Sequence, residues 1–129
     1  DEATAFVRSI SQSIFPDCQP AQWAAFSRLC YIEQNNQIIA DYDPKIGEAL
    51  SQQDTGAESS ALWSLFETLR DVPLLLIRGA LTDLLSEACV QAMQDRAKRL
   101  ELLTVPNVGH APMLTEAEVP EAIMAFLTQ

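Results

Sequence analysis

Residues 73–83 read Pro-Leu-Leu-Leu-Ile-Arg-Gly-Ala-Leu-Thr-Asp, and the reading of this stretch decides the fold. Val72 to Ile77 is a short, unbroken apolar run. Such a run, with no polar residue on alternate positions, predicts a strand buried on both faces of a parallel sheet. It ends in Arg78-Gly79, a turn signal, and the next carboxylate is Asp83. Downstream, Ser86 to Ala97 has helical spacing, with Cys89, Val90, Met93 and Ala97 on its inward face. Glu87 stands in its first turn and Arg96, Lys98 and Arg99 near its end, signs that suit the helix dipole. Leu100 to Val105 predicts a second strand, and Glu118 to Leu127 a closing helix with Val119, Ala122, Ile123, Phe126 and Leu127 on one side. Upstream, Leu62, Leu65, Phe66 and Leu69 form a stripe on a further helix. The order helix, strand, helix, strand, helix is an α/β arrangement: a βαβ unit with flanking helices.

The first 60 residues differ in character. Phe6, Val7, Ile10 and Ile14 mark one face of a helix opened by Asp1 and Glu2 and ended by Pro16. A second helix after Pro20 has Trp23, Phe26, Leu29 and Cys30 as its stripe. Between Tyr31 and Asp41, Asn35-Asn36 separates short apolar pieces, the pattern of a small hairpin. Asp43-Pro44 opens a helix over Ile46 to Leu50, and the polar stretch from Ser51 to Ser60 is the linker candidate. The expected organisation is a mainly helical segment over 1–60 and an α/β unit over 61–129.

Bulk properties narrow the function classes. With 129 residues the chain suffices for one domain with its own core. A formal charge of −10 disfavours nucleic acid and anionic lipid as partners, so neither is expected. Cys18, Cys30 and Cys89 are odd in number and form no C-x-x-C pair, which reads as small buried hydrophobes in a reducing cytoplasm. No apolar run approaches the roughly 18 residues of a membrane span. The chain opens on Asp1 rather than Met, which leaves an upstream targeting segment open. One histidine without clustered ligands argues against a metal, and no P-loop or G-x-G-x-x-G is present, so no cofactor is expected.

Parallel strands joined by a crossover end on the same edge of their sheet, and ligands of open α/β sheets bind outside those carboxyl ends. Two polar loops follow the strands, Arg78 to Asp83 and Pro106 to His110. With neighbouring strands about 4.8 Å apart, Asp83 and His110 are placed to meet. A carboxylate that accepts from one ring N–H fixes the histidine tautomer, and the other nitrogen then moves a proton. The plainer readings stand beside this one: Asp83 as a turn or cap residue, His110 as an exposed loop histidine, Gly79 and Gly109 as turn signals. Trp23, Trp63, Phe15 and Phe66 read as core before they read as a substrate pocket. Met113 and Leu114 face a substrate or anchor their loop; Glu116, Glu118 and Glu121 read as a solvated face.

PLLLIRGALTDLLSEACVQAM (residues 73–93) resembles the acid-bearing segment of the α/β-hydrolase superfamily, and VPNVGHAPMLTEAEVPEAIMAFL (residues 105–127) resembles its C-terminal G-H segment. The resemblance covers about Leu62 to Gln129, and more weakly the first 60 residues, which are similar to a helical cap ending near Tyr42-Asp43-Pro44. It implies a hydrolase of a small ester or related bond, with Asp83 as the triad acid and His110 as the base. Esterases, C–C hydrolases, haloalkane dehalogenases, epoxide hydrolases and cofactor-free haloperoxidases share these halves. The family's G-x-S-x-G elbow is absent here, so the resemblance implies a piece of a larger enzyme whose nucleophile lies elsewhere. The strand Leu74 to Ile77 is then expected to cover its open edge with a second copy or a complementary chain. The competing expectation is a non-catalytic interaction or dimerisation module built on the same half-fold.

Overall fold

The computed structural model describes residues 2–35, 37–43, 45, 46 and 55–129, and of residues 55–59 the backbone only. The chain divides into two compact units, Asp1–Asp54 and Thr55–Gln129.

The first unit contains α1 (Glu2–Ser11), α2 (Pro20–Cys30), β1 (Tyr31–Gln34) and β2 (Gln37–Ala40). Pro20 sits in the first turn of α2, where its missing N–H costs nothing, and the Gln22 side chain accepts from the Gln19 amide at 2.8 Å. The expected hairpin forms: β1 and β2 pair antiparallel from Tyr31↔Ala40 to Gln34↔Gln37, with Asn35 at φ 52, a conformation asparagine tolerates well. The buried set is Val7, Phe15, Trp23 and Ser27. Phe15 meets Trp23 edge to face at 6.3 Å. This corrects the predicted stripes. Phe6, Ile10 and Ile14 are exposed, and Leu29 is 79% exposed. Of the predicted faces Val7 and Trp23 are fully buried and Phe26 and Cys30 half-buried, and Phe15, beyond the end of α1, packs on both Trp23 and Phe26. The predicted helix over 46–50 falls largely outside the described residues, with only Lys45 and Ile46 seen as helical.

The second unit contains α3 (Thr55–Glu67), β3 (Leu74–Gly79), α4 (Glu87–Arg96), β4 (Leu100–Val105) and α5 (Val119–Leu127). The linker expected to end at Ser60 is already helical from Thr55. On α3 the packed face is not Leu62 and Leu65, which are 61% and 65% exposed, but Trp63 and Phe66, which stack edge to face at 5.9 Å. The Arg96 guanidinium lies 4.4 Å over the Trp63 ring and its Nε is 3.5 Å from Glu67, so a cation–π contact and an ion pair select that face.

β3 and β4 pair parallel and in register from Leu74↔Leu100 to Gly79↔Val105. Ser86 caps α4, its hydroxyl accepting from the Cys89 amide at 3.2 Å. Val90, Ala97, Val105, Val108 and Val119 form the core, and α5, whose first residue Val119 is 0% exposed, packs on both strands. Leu74 to Ile77 are half-buried, not sealed on both faces as predicted. The cause is the sheet itself: among the described residues it has two strands, and a pair leaves both outer edges open. No helix among the described residues is long and apolar enough to cross a membrane.

Candidate functional site

The parallel pairing brings the carboxyl ends of β3 and β4 to one edge, and the two loops that leave it are stitched together. The Ala80 amide donates to the Val105 carbonyl at 2.8 Å, and the Leu81 amide to the Val108 carbonyl at 2.9 Å. Asp83 and His110 each lie two residues beyond the Leu81–Val108 bond. Gly79 makes the close approach possible. A Cβ there would stand 2.8 Å from the Val108 carbonyl carbon and closer still to the carbonyl oxygens of Val108 and Gly109. Gly79 is therefore more than a turn signal: its hydrogen is the only side chain the neighbouring loop admits.

Each loop has a second anchor that the sequence did not disclose. Arg78, with 8% of its surface exposed, donates from Nε to the Leu85 carbonyl at 2.8 Å, closing the loop that carries Asp83. Thr82 steadies the same loop, its amide donating to Gly79 and its hydroxyl accepting from the Leu84 amide at 3.3 Å. In the other loop Glu116 is half-buried, not part of a solvated face, and its Oε1 accepts from the Met113 amide at 2.8 Å. That bond spans Leu114, which is held at φ 62, a left-handed backbone that costs a leucine about 1 kcal/mol or more. Asn107, at φ 55, makes the turn out of β4 with less strain. A charged residue ending an apolar run was the one sequence signal for Arg78; Glu116 had none beyond its place after the G-H pair.

The side chains of Asp83 and His110 are both exposed, and no hydrogen bond or ion pair joins them among the described residues. The edge thus brings the two loops together without closing the bond between the two groups. Among the described residues no three His, Cys, Asp or Glu side chains gather as a metal site. Burial pushes the Cys30 thiol up, away from the thiolate form that nucleophilic attack requires.

Comparison with known proteins agrees with this architecture. No family model matches the chain. It is 32% identical over 123 residues to a 3-hydroxybutyrate-oligomer hydrolase of Cupriavidus necator, an alignment covering 90% of this chain and 41% of that protein. It superposes on the crystal structure of an alpha/beta hydrolase from Novosphingobium aromaticivorans with a TM-score of 0.85 and 32% identity, over 98% of this chain and 45% of that one. E-2-(acetamidomethylene)succinate hydrolase shares the fold at a TM-score of 0.65 and 20% identity, over 98% of this chain and 46% of that one. The chain spans less than half the length of each of these proteins. With a parallel β3–α4–β4 unit, flanking helices and a mainly helical segment before them, the chain belongs to the α/β-hydrolase superfamily and corresponds to the C-terminal part of that fold.

Proposed function

We propose that this chain supplies the acid and the histidine of a hydrolase acting on a small ester or related bond, with Asp83 orienting His110 and His110 moving the proton. The observation that carries the reading is the interlocked strand ends, where the Leu81–Val108 bond and the Gly79 contact hold both loops at one edge. The nucleophile is assigned to a segment outside these residues, since the sequence has no G-x-S-x-G. The name of the Cupriavidus relative favours an ester of a short hydroxy acid as substrate.

Three further assignments belong to this reading. Residues 1–60 act as the cap, and 61–129 as part of the core. The outer edge of β3, half-buried from Leu74 to Ile77, pairs with another strand, from a complementary segment or a second copy. The odd number of cysteines, with no C-x-x-C pair, supports a reducing, cytoplasmic setting. The exposure of both Asp83 and His110 is the one feature that favours a non-catalytic interaction module instead.

Hydrolysis of 4-nitrophenyl butyrate and of a 3-hydroxybutyrate dimer by the intact protein separates the two. His110→Ala is expected to lower kcat by about four orders of magnitude and Asp83→Asn by a similar factor. Activity within tenfold of the parent in His110→Ala contradicts the catalytic reading and leaves the interaction module.

A further inference from the structure

We propose that Arg78 is a positioning residue that holds Asp83 toward His110 through its bond to the Leu85 carbonyl; this rests on the reading of Asp83 and His110 as an acid–base pair. Arg78 is the last side chain of β3 before Gly79 and lies opposite Thr104 in the register. It borders a cleft of about 250 Å³ shared with Leu102 and Thr104 of β4 and Val90 of α4. A buried guanidinium is costly unless it is hydrogen-bonded. Among the described residues no carboxylate pairs with it. Its Nε instead donates to a backbone carbonyl seven residues along the chain, at 2.8 Å.

The consequence is geometric. Residues 79–85 leave the strand and return to within reach of its last side chain. Asp83 lies between two fixed points, Thr82, whose amide bonds Gly79, and Leu85, whose carbonyl Arg78 holds. Beyond Leu85 the Ser86 cap fixes the start of α4. Removing the Arg78 donor frees the second of those points while leaving the Ala80–Val105 and Leu81–Val108 stitches in place. A charged donor gives a stronger bond than a neutral one, which suits a clamp on an exposed loop.

Glutamine and methionine isolate the bond. In Arg78→Gln the amide nitrogen stands the same number of bonds from Cβ as Nε does, without the charge. Arg78→Met has similar reach and no donor. The readout is the fraction of His110 rings that carry the proton on Nδ1, measured by nitrogen-15 NMR of the intact protein with the ring neutral, in the parent, Asp83→Asn, Arg78→Met, Arg78→Gln and the Asp83→Asn/Arg78→Met double variant, each first shown to melt cooperatively. Asp83→Asn is expected to cut that fraction by about half or more. Arg78→Met is expected to give at least half that loss and to add nothing on top of Asp83→Asn, the non-additivity of a residue acting through another. Arg78→Gln should stay near the parent. Amide exchange at Leu84 should quicken at least tenfold in both variants that carry Arg78→Met and not in Asp83→Asn by itself.

A loss in Arg78→Met that adds fully to that of Asp83→Asn overturns the proposal, as does an equal loss in Arg78→Gln, which would mark the charge rather than the bond. An unchanged tautomer in Arg78→Met overturns it as well. An unchanged tautomer in Asp83→Asn sinks the acid–base reading itself, and the role of Arg78 with it. If Arg78→Met does not fold, Arg78→Leu in the same comparison removes the donor with less bulk.

Discussion

Gly79→Ala tests the interlock on which the site depends. The new Cβ would meet the carbonyl carbon of Val108 at 2.8 Å and the carbonyl oxygens of Val108 and Gly109 more closely. All three are backbone atoms, so no side chain can swing aside. Either β3 ends further from the histidine loop, or the loop lifts away. Overpacking of this kind costs about 1–3 kcal/mol. Separating the strands also strains the Ala80–Val105 and Leu81–Val108 hydrogen bonds, each worth about 1 kcal/mol. The sum is about 3–5 kcal/mol. For a unit of this size each kcal/mol lowers the melting temperature by about 4–8 °C. The expected drop is therefore at least about 12 °C, read by calorimetry, with a matching fall in the urea midpoint at unchanged m. Gly79→Ser should be no better. A Gly79→Ala protein within about 1 kcal/mol of the parent would show that the strand ends are not locked, and the geometric basis for pairing Asp83 with His110 would go with it.

Two further outcomes follow from the same structure. The Lys98 ammonium, 2.7 Å from Asp71, holds that carboxyl below its ordinary range by hydrogen bond first and charge second. A carboxyl depressed in the folded state contributes stability above its unfolded midpoint and loses it as pH falls through the folded one. Lys98→Met should return the Asp71 midpoint, followed by NMR, to the ordinary range and remove its dependence on salt; an unchanged midpoint contradicts the pairing. Sedimentation of the chain by itself should show self-association through the Leu74–Ile77 edge, weakened by Leu75→Lys. A monodisperse monomer at tens of micromolar contradicts that assignment.

How legible the molecule was depends on which residues one asks about. β3 and β4 were readable because an apolar run bounded by turn residues has few other outcomes, and the Asn35 turn marked the hairpin. The buried faces of α1, α2 and α3 were less so. A stripe such as Leu62, Leu65 and Leu69 states that a helix is amphipathic, but not which neighbour it meets. In α3 the neighbour is Arg96, which selects Trp63 and Glu67, and no periodicity encodes that. In the site, Asp83 and His110 could be named from loop position, because parallel strands must end together. Arg78 and Glu116 could not, since each bonds to a backbone atom whose position exists only once the loops are folded. Gly79 was seen as a turn, while its actual role, admitting the Val108 and Gly109 carbonyls, is a contact across 30 residues of sequence.

The tautomer of His110 is the sharpest probe of the account. A free neutral imidazole carries its proton mostly on Nε2, whereas a ring held by a carboxylate at Nδ1 carries it there. Nitrogen-15 NMR of the intact protein with the ring neutral should show the Nδ1–H form in the parent and its loss in Asp83→Asn. An Nε2–H ring indifferent to Asp83 would contradict the pairing.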